Sequence, residues 1–594
     1  MSALDEVDLH LVEGVGDVLN FEDWLQRGPM RHGLMAIDTE TTGLSRRTDH
    51  VRLLQMGDGT DGWAMAWDRW SGLLVDVLTR FNGTILMHNA PFDQPMIAKM
   101  GVEIETSRIQ DVLPLVKMLE PHLPAKLKKA AARHVDPQAG SAQKELDAAI
   151  AKLGWAGVPI EFEPYWMYGA LDPVLTFLLR QALQEHVRED EAFQHGYDVE
   201  NSVQWILSRM TDKGIPVDVE YAREQREKIT RYSATAYDWC VKEYGVKPGS
   251  NAAVVERLMR DGWEFAKRTE TGAWALDKEV LEEIDHPLAQ TVLRRRQLDK
   301  IGSTYLDHYI DHNREGRVHP SINPMGARTS RMSVSSPNFQ NLPRVSEDNP
   351  AATIVRNCVV AGQGKVLLFC DFSQIETRLL AHLSQDPGLI GAFHLDEDFF
   401  VTLARQVFKD PTINKKDQRR NAIKTWVYAK IYGAGLEKLA KTLGMSTAEM
   451  RQFDDSITAA YPGIRSFQLQ IQTLAIRRAR EEGVPYVVCP MSGRRHVADR
   501  GKEYALVNYL IQGLAAFFFK KKLLELDAAG LGEYMILPVH DEIILEVPVE
   551  QAQWAVQILI DVMNDADTFR VPVAAEVSYG YRWGEKKDWS TWSD

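Results

Sequence analysis

The stretch YMILPVHDEIILEV, residues 534–547, holds three polar residues between two apolar runs. Each run has the length and composition of a buried strand, so His540, Asp541 and Glu542 fall at the tip of a hairpin. Neighbouring carboxylates repel one another, and burying either alone is costly. A turn lets them reach water, whereas a divalent cation makes their clustering favourable. Upstream, KVLLFCDFSQIETRLLAHLSQD (365–386) ends an apolar strand at Asp371 and continues as an amphipathic helix. Asp371 and Asp541 can therefore face each other across a sheet and hold a pair of Mg2+ ions, which take few carboxylates and complete their shells with phosphate oxygens. Either acid alone reads as an ordinary surface residue.

Between them lies RRNAIKTWVYAKIYGAG (419–435), in which Arg420, Lys424, Tyr428 and Tyr432 recur every four residues. On a helix they form one slowly winding stripe. Its two cations suit the oxygens of a triphosphate, and its two aromatics offer a face to a base or sugar. Such a stripe is more often a core edge with a solvated flank, but this one runs into YGAG, a sharp helix break.

The first ~195 residues alternate strand-like stretches (GLMAID, TILMHN) with amphipathic helices, an α/β pattern. AIDTETTGL puts Asp38 and Glu40 at i and i+2 of a strand, hence on one face. Asp93 in HNAPFD and Asp172 in YGALDP stand at the edges of other apolar elements. Four such acids can bind two divalent cations roughly 3.5–4 Å apart and act on a phosphodiester. Tyr168 and Asp172 share a face if the segment is helical throughout. Pro173 either disfavours that geometry or opens a new helix.

A chain of 594 residues exceeds one hydrophobic core. No apolar run of about 18 residues is present, the acidic N-terminus has no secretion signal, and the four cysteines form no CxxC pair, which fits a reducing cytoplasm. The net charge of −14 does not exclude a nucleic-acid partner, because the local field decides. Basic clusters occur at 293–300, 415–424, 492–496 and 517–522; each alone reads first as a solvated face. Residues 136–165 form an irregular excursion, and 200–315 are mostly helical.

The ordered set DTET, HNAPFD and Tyr168-x-x-x-Asp172 resembles the proofreading 3′–5′ exonucleases of the four-acid type, in the subtype whose tyrosine orients the attacking water. Asp371-F-S-Q-I-Glu376, then Arg420-x-x-x-Lys424-x-x-x-Tyr428-x-x-x-Tyr432-Gly433, then His540-Asp541-Glu542, resembles the three polymerase motifs of family A DNA polymerases. SRMSVSSPNFQNLP (330–343), Asn508 and Gln512 in VNYLIQG, STYLDHYI and MTDKGIPVD resemble further landmarks of that family, and the overall layout is most like its bacteriophage members.

The resemblance implies a multidomain fold of α/β and α+β parts. An RNase H-like exonuclease domain (1–195) would precede a right-hand polymerase (196–594), with a thumb at about 200–320, a palm at about 321–395 and 490–594, and fingers at about 396–489. It implies catalytic metal ligands Asp371 and Asp541 with Glu542 as accessory acid, and exonuclease ligands Asp38, Glu40, Asp93 and Asp172 with Tyr168. Arg420, Lys424, Tyr428, Tyr432 and Glu376 would hold the dNTP, with Glu376 leaving no room for a 2′-hydroxyl. Arg331, Asn338, Gln340, Asn341, Asn508, Gln512 and His540 would touch DNA. Two Mg2+ per site are implied, with Mn2+ as substitute. The expected partners are primer-template DNA, dNTPs and a phage helicase, primase and single-strand binding protein, with no membrane, for a monomer in the host cytoplasm.

Two positions depart from the family pattern. Phe400 stands where a histidine is common, and Tyr504 where an arginine is frequent. With 37 residues ahead of Asp38, the 5′ nuclease domain of some relatives is expected to be missing, as is a thumb insertion that recruits a processivity protein. An exonuclease with an inactive polymerase half would leave the intact Asp371, Lys424 and Asp541 unexplained. A single-subunit RNA polymerase would not be expected to carry Glu376, and a DNA-binding scaffold would explain the basic clusters alone.

Overall fold

Short apolar strands flanked by turn residues build a six-stranded mixed sheet in the N-terminal third. The strands are β1 (Asp8–Leu11), β2 (Leu34–Thr41), β3 (Val51–Gly57), β4 (Asp61–Ala66), β5 (Thr84–Met87) and β6 (Ile109–Asp111). Their order is β1-β4-β3-β2-β5-β6. β2 runs antiparallel to β3 and parallel to β5, so its C-terminal end, which carries Asp38 and Glu40, lies mid-sheet. The computed structural model describes residues 3–140, 144–343, 351–395 and 397–593. Residues 141–143 of the expected excursion and 344–350 of the expected palm lie outside them.

The long helix Glu163–Glu189 packs across β2, β3 and β4 and carries both Tyr168 and Asp172. It runs straight through Pro173, so neither the break nor the fresh start that Pro173 suggests is found. Proline removes one helix bond, and here its ring lies where a Cβ on Gly57 of β3 would meet it at 3.3 Å. Packing against the sheet outweighs that local loss.

The next helix, Glu191–Lys213, belongs to three cores at once, its Phe193 and Tyr197 packing with the helix Val112–Leu119. Trp205 packs with the N-terminal sheet, while Val203, Ile206, Leu207 and Met210 join the largest core of the molecule. The sequence boundary expected at 195 thus falls inside a helix that joins the two units. Lys520, fully buried, donates to both Glu200 carboxylate oxygens at 2.6 and 2.8 Å. Breaking such a pair strands a buried charge, so both helices must dock together.

Beyond it, helices Val219–Tyr244 and Pro287–Ile301 pair along their length and enclose a small core of their own. A second, fully antiparallel sheet then supplies the floor of the C-terminal region. Its order is Met535–Val539, Glu542–Pro548, Lys365–Phe372, Ala575–Gly580, Lys587–Asp588. Lys365–Phe372 is central and buried almost throughout, which is why its sequence is a continuous apolar run. Five helices between Phe399 and Glu481 form a lobe above this sheet.

Two of the four basic clusters turn most of their cations inward, leaving Lys521 and Arg495 partly exposed. Lys520 and Lys522 of 517–522 are buried, and Lys522 pairs with Glu525 at 2.9 Å and Asp565 at 3.0 Å. In 492–496, Arg494 and His496 are buried, and Arg494 donates to Ser330 Oγ at 3.0 Å. No helix among the described residues is long and apolar enough to cross a membrane.

Two candidate active sites

Asp38, Glu40 and Asp172 bring carboxylate oxygens within 4.8 Å of one another. The strand fixes the first two on one face, and the helix Glu163–Glu189, packed on that face, supplies the third. Asp93 stands beside Asp38 but outside this tight group. Thr39, pointing to the other face of β2, donates from Oγ1 to Asp93 Oδ1 at 2.6 Å and fixes its orientation. Asp93 lies in the first turn of the helix Ala90–Ala98, which starts after Asn89 in a left-handed conformation (φ 79°). That start is pinned by Asp111, whose carboxylate accepts from the backbone N–H groups of Asn89, Ala90 and Leu113 at 2.8–2.9 Å.

Sequence reasoning did not find Asp111, although an acid between a short apolar strand and a helix is a capping signal. It also missed Trp155. This residue comes from the irregular excursion and lies edge-on to Tyr168, ring centroids 5.9 Å apart. Gln55, opposite Asp38 in the β2–β3 register, is fully buried with neither amide atom bonded to the chain. Crowded carboxylates beside a buried amide suit a divalent cation and its water shell far better than bare protein.

Burial, followed by repulsion from Asp172, pushes Glu40 from 4.5 up to about 8. Burial pushes Asp93 up to about 7 against the opposing Thr39 bond, and lifts Asp38 well above its ordinary value. These carboxyls bind protons more tightly in the folded chain than in the unfolded one. Without divalent ions, the stability they contribute at acid pH is therefore lost as pH rises from about 4 to about 8. In EDTA the melting temperature is expected to fall between pH 5.5 and 8. Glu40→Gln should flatten that profile by an amount on the order of 1–3 kcal/mol. Parallel profiles for parent and variant would refute this account.

In the second sheet, Val539 pairs with Glu542, so His540 and Asp541 form a two-residue hairpin turn, with His540 left-handed at φ 59°. Asp371 pairs with Glu542 on the neighbouring strand, and Phe372 N–H reaches the Asp541 carbonyl at 3.4 Å. Asp371 and Asp541 therefore stand side by side. Loss of surrounding water, then repulsion from Asp541 and Glu542, pushes Asp371 up to about 7. Solvent at its exposed edge screens part of that shift. Burial takes Asp541 up to about 6, opposed by Arg331. Glu542 is drawn aside by an ion pair with Lys586.

Arg420, Lys424 and Tyr428 line the helix Gln418–Ile431, and Tyr432 caps it. The chain turns at Gly433 (φ 70°), where a Cβ would meet the Tyr504 ring at 2.7 Å, so glycine is needed there on both counts. Phe400, fully buried, packs beneath the stripe: its ring lies 5.4 Å from the Arg420 guanidinium, 5.8 Å from the Lys424 ammonium and 6.0 Å from the Tyr428 ring. Asp398, another residue the sequence reading passed over, accepts two bonds from Arg420 at 3.1 and 2.7 Å and aims it. Glu376 is buried and held from two sides, by Arg331 Nη2 and by the Tyr432 hydroxyl at 3.0 Å.

The expected DNA contacts surround this floor. Asn508 and Gln512 lie one turn apart on the helix Ala505–Leu526. Gln340 donates to the Pro538 carbonyl at 3.2 Å, tying its loop to the hairpin. The Asn338 side chain accepts from the backbone of Gln340 and Asn341 at 3.0 and 3.1 Å, so it shapes the loop. Arg331 meets Glu376, the Asn341 carbonyl accepts from the Tyr305 hydroxyl at 2.8 Å, and His540 stands at the hairpin turn.

Comparison with known proteins gives the family of the chain. The family model for DNA polymerase family A matches residues 219–585, and that for a 3′–5′ exonuclease matches residues 18–188. The DNA polymerase of Mycobacterium phage D29 is 28% identical over 595 residues, 94% of each chain. That of Mycobacterium phage L5 is 28% identical over 577 residues, 93% of this chain and 92% of its own. DNA polymerase I of Chloroflexus aurantiacus is 31% identical over 84% of this chain, which spans about half (54%) of that longer protein. Among solved structures, the POL domain of Pol1 from M. smegmatis, in complex with DNA primer-template and dNTP, superposes with a TM-score of 0.77 at 22% identity, covering 97% of this chain and 99% of that one. The chain belongs to DNA polymerase family A, with a 3′–5′ exonuclease domain preceding the polymerase domain.

Proposed function

We propose that the chain copies a DNA template in phage replication by adding dNTPs to a primer 3′ end, and that its first ~195 residues trim misincorporated ends. The observation that carries this reading is the adjacency of Asp371 and Asp541 beneath a stripe of Arg420, Lys424, Tyr428 and Tyr432. The Pol1 domain with primer-template and dNTP supports DNA and dNTPs as partners.

Asp371 and Asp541 would hold two Mg2+ ions, and Asp38, Glu40, Asp93 and Asp172 two more, with Mn2+ as substitute. When bound, such ions make an oxygen nucleophile available at neutral pH and neutralise charge developing on phosphorus. The remaining roles belong to side chains. Arg420, aimed by Asp398, and the exposed Lys424 grip the triphosphate, and Lys424 gives a proton to the leaving pyrophosphate. Glu376, fixed by Arg331 and Tyr432, blocks a 2′-hydroxyl, while Tyr432 lies beside the nascent pair. Arg331, Asn338, Gln340, Asn341, Asn508, Gln512 and His540 follow the primer terminus and the minor groove, whose acceptors are common to all correct pairs. Glu542, tied to Lys586, acts as an accessory acid. Tyr168 orients the attacking water at the other site. The thumb, palm and fingers follow the divisions drawn from the sequence, in a monomer working in the host cytoplasm beside a helicase, a primase and a single-strand binding protein.

A labelled primer-template with Mg2+ tests the proposal. Lengthening with dNTPs, shortening without them, little use of NTPs and loss of all activity in EDTA are expected. Shortening alone under every condition would instead establish an exonuclease with an inactive polymerase half.

A further inference from the structure

The acids of the N-terminal cluster have roles above, but one cation in contact with them has none. Lys128 belongs to the helix Leu127–His134, which packs against the helix carrying Tyr168 and Asp172. Its ammonium pairs with Asp172 Oδ1 at 3.0 Å and sits 2.8 Å from the centre of the Tyr168 ring. Both partners are largely buried, at 18% and 10% side-chain exposure, so water screens the pair poorly. The first turn of that helix has no acid. A cation at a helix N-terminus opposes the macrodipole, so the lysine gains nothing from its own helix and is held by what it faces.

We propose that Lys128 is a tethered cation of the exonuclease site. It positions Tyr168 and Asp172 against each other and competes with a divalent ion for the Asp172 carboxylate. The proposal rests on the reading that Asp38, Glu40, Asp93 and Asp172 bind such ions. Three carboxylates within 4.8 Å repel strongly, and one ammonium at their edge relieves part of that repulsion. The same ammonium opposes entry of a second positive charge a few ångströms away. Its contact with the Tyr168 ring, a cation over a π face, makes the position of that ring respond to whether the lysine or the ion holds Asp172.

The test uses the full chain carrying Asp371→Asn and Asp541→Asn, so that Mn2+ followed by electron paramagnetic resonance reports on the N-terminal acids. Lys128→Met is expected to bind Mn2+ about tenfold more tightly at low salt, and Lys128→Arg to behave as the parent does. In EDTA at pH 8 Lys128→Met should melt below its parent, and saturating Mn2+ should bring the two together. A lysine that merely packs would lower the melting temperature equally with and without Mn2+. That outcome, or Mn2+ affinity unchanged or weakened in Lys128→Met, overturns the proposal. Glu40→Gln separates the two levels. If it leaves Mn2+ binding intact, the acid cluster is not the cation site and both readings fall. If it weakens binding while Lys128→Met changes nothing, only the role of Lys128 is lost.

Discussion

Asp371→Ala is expected to slow primer extension by more than about a thousandfold, equivalent to losing at least ~4 kcal/mol of transition-state stabilisation, while trimming of the same primer stays within about twofold. Asp38→Ala should do the reverse. The separation follows from the architecture. Asp38 rides on β2 of the first sheet and Asp371 on the central strand of the second, and the two sheets pack into different cores. Each alanine also removes one member of a repelling group, so neither variant should melt earlier in EDTA at pH 8. A drop in rate cannot then be ascribed to unfolding. Comparable extension by parent and Asp371→Ala, or loss of both activities in either variant, would end the two-site reading.

Tyr428→Phe is expected to change sugar discrimination far more than catalytic rate. The tyrosine is half-buried on the stripe, and burial beside Glu376 and Tyr432 pushes its hydroxyl up to about 12, so it remains a proton donor at neutral pH. A donor there can substitute for a missing 3′-hydroxyl on the incoming nucleotide. The parent should therefore accept dideoxynucleotides almost as readily as normal ones. The phenylalanine variant leaves that partner unmet and should reject them by about a hundredfold or more. Phe400 beneath the ring adds no polar group that could rescue the variant. Kinetics of single dideoxynucleotide addition by the two enzymes decide the matter, and equal incorporation would sink it.

Reading the chain residue by residue located both acid clusters because strand ends advertise themselves. An apolar run that stops at an acid can be recognised without its partners, as at Asp38, Asp371 and Asp541. The residues that were missed act through contacts distant in sequence. Asp398 reaches Arg420 across 22 positions, Trp155 reaches Tyr168 from an irregular excursion, and Lys128 reaches Asp172 from another helix. Pro173 misled because its local preference is real but smaller than the packing of a 27-residue helix on three strands. The lysines of FFFKKK misled because charge in a sequence carries no record of a buried carboxylate such as Glu200, some 320 residues away.

By itself, the sequence determined which elements form and which acids stand at their ends, because periodicity and chain termination are local properties. It determined the family as well, since many motifs in fixed order cannot arise from one local preference. Only the tertiary structure decided which charges are available. It sent Lys520 and Arg494 inward, turned Glu542 toward Lys586, set Asp93 apart under Thr39 and placed Lys128 beside the N-terminal acid cluster. The reason is that the energy of a charge depends on every neighbour within a few ångströms and on whether water reaches it, and those neighbours are assembled from all over the chain.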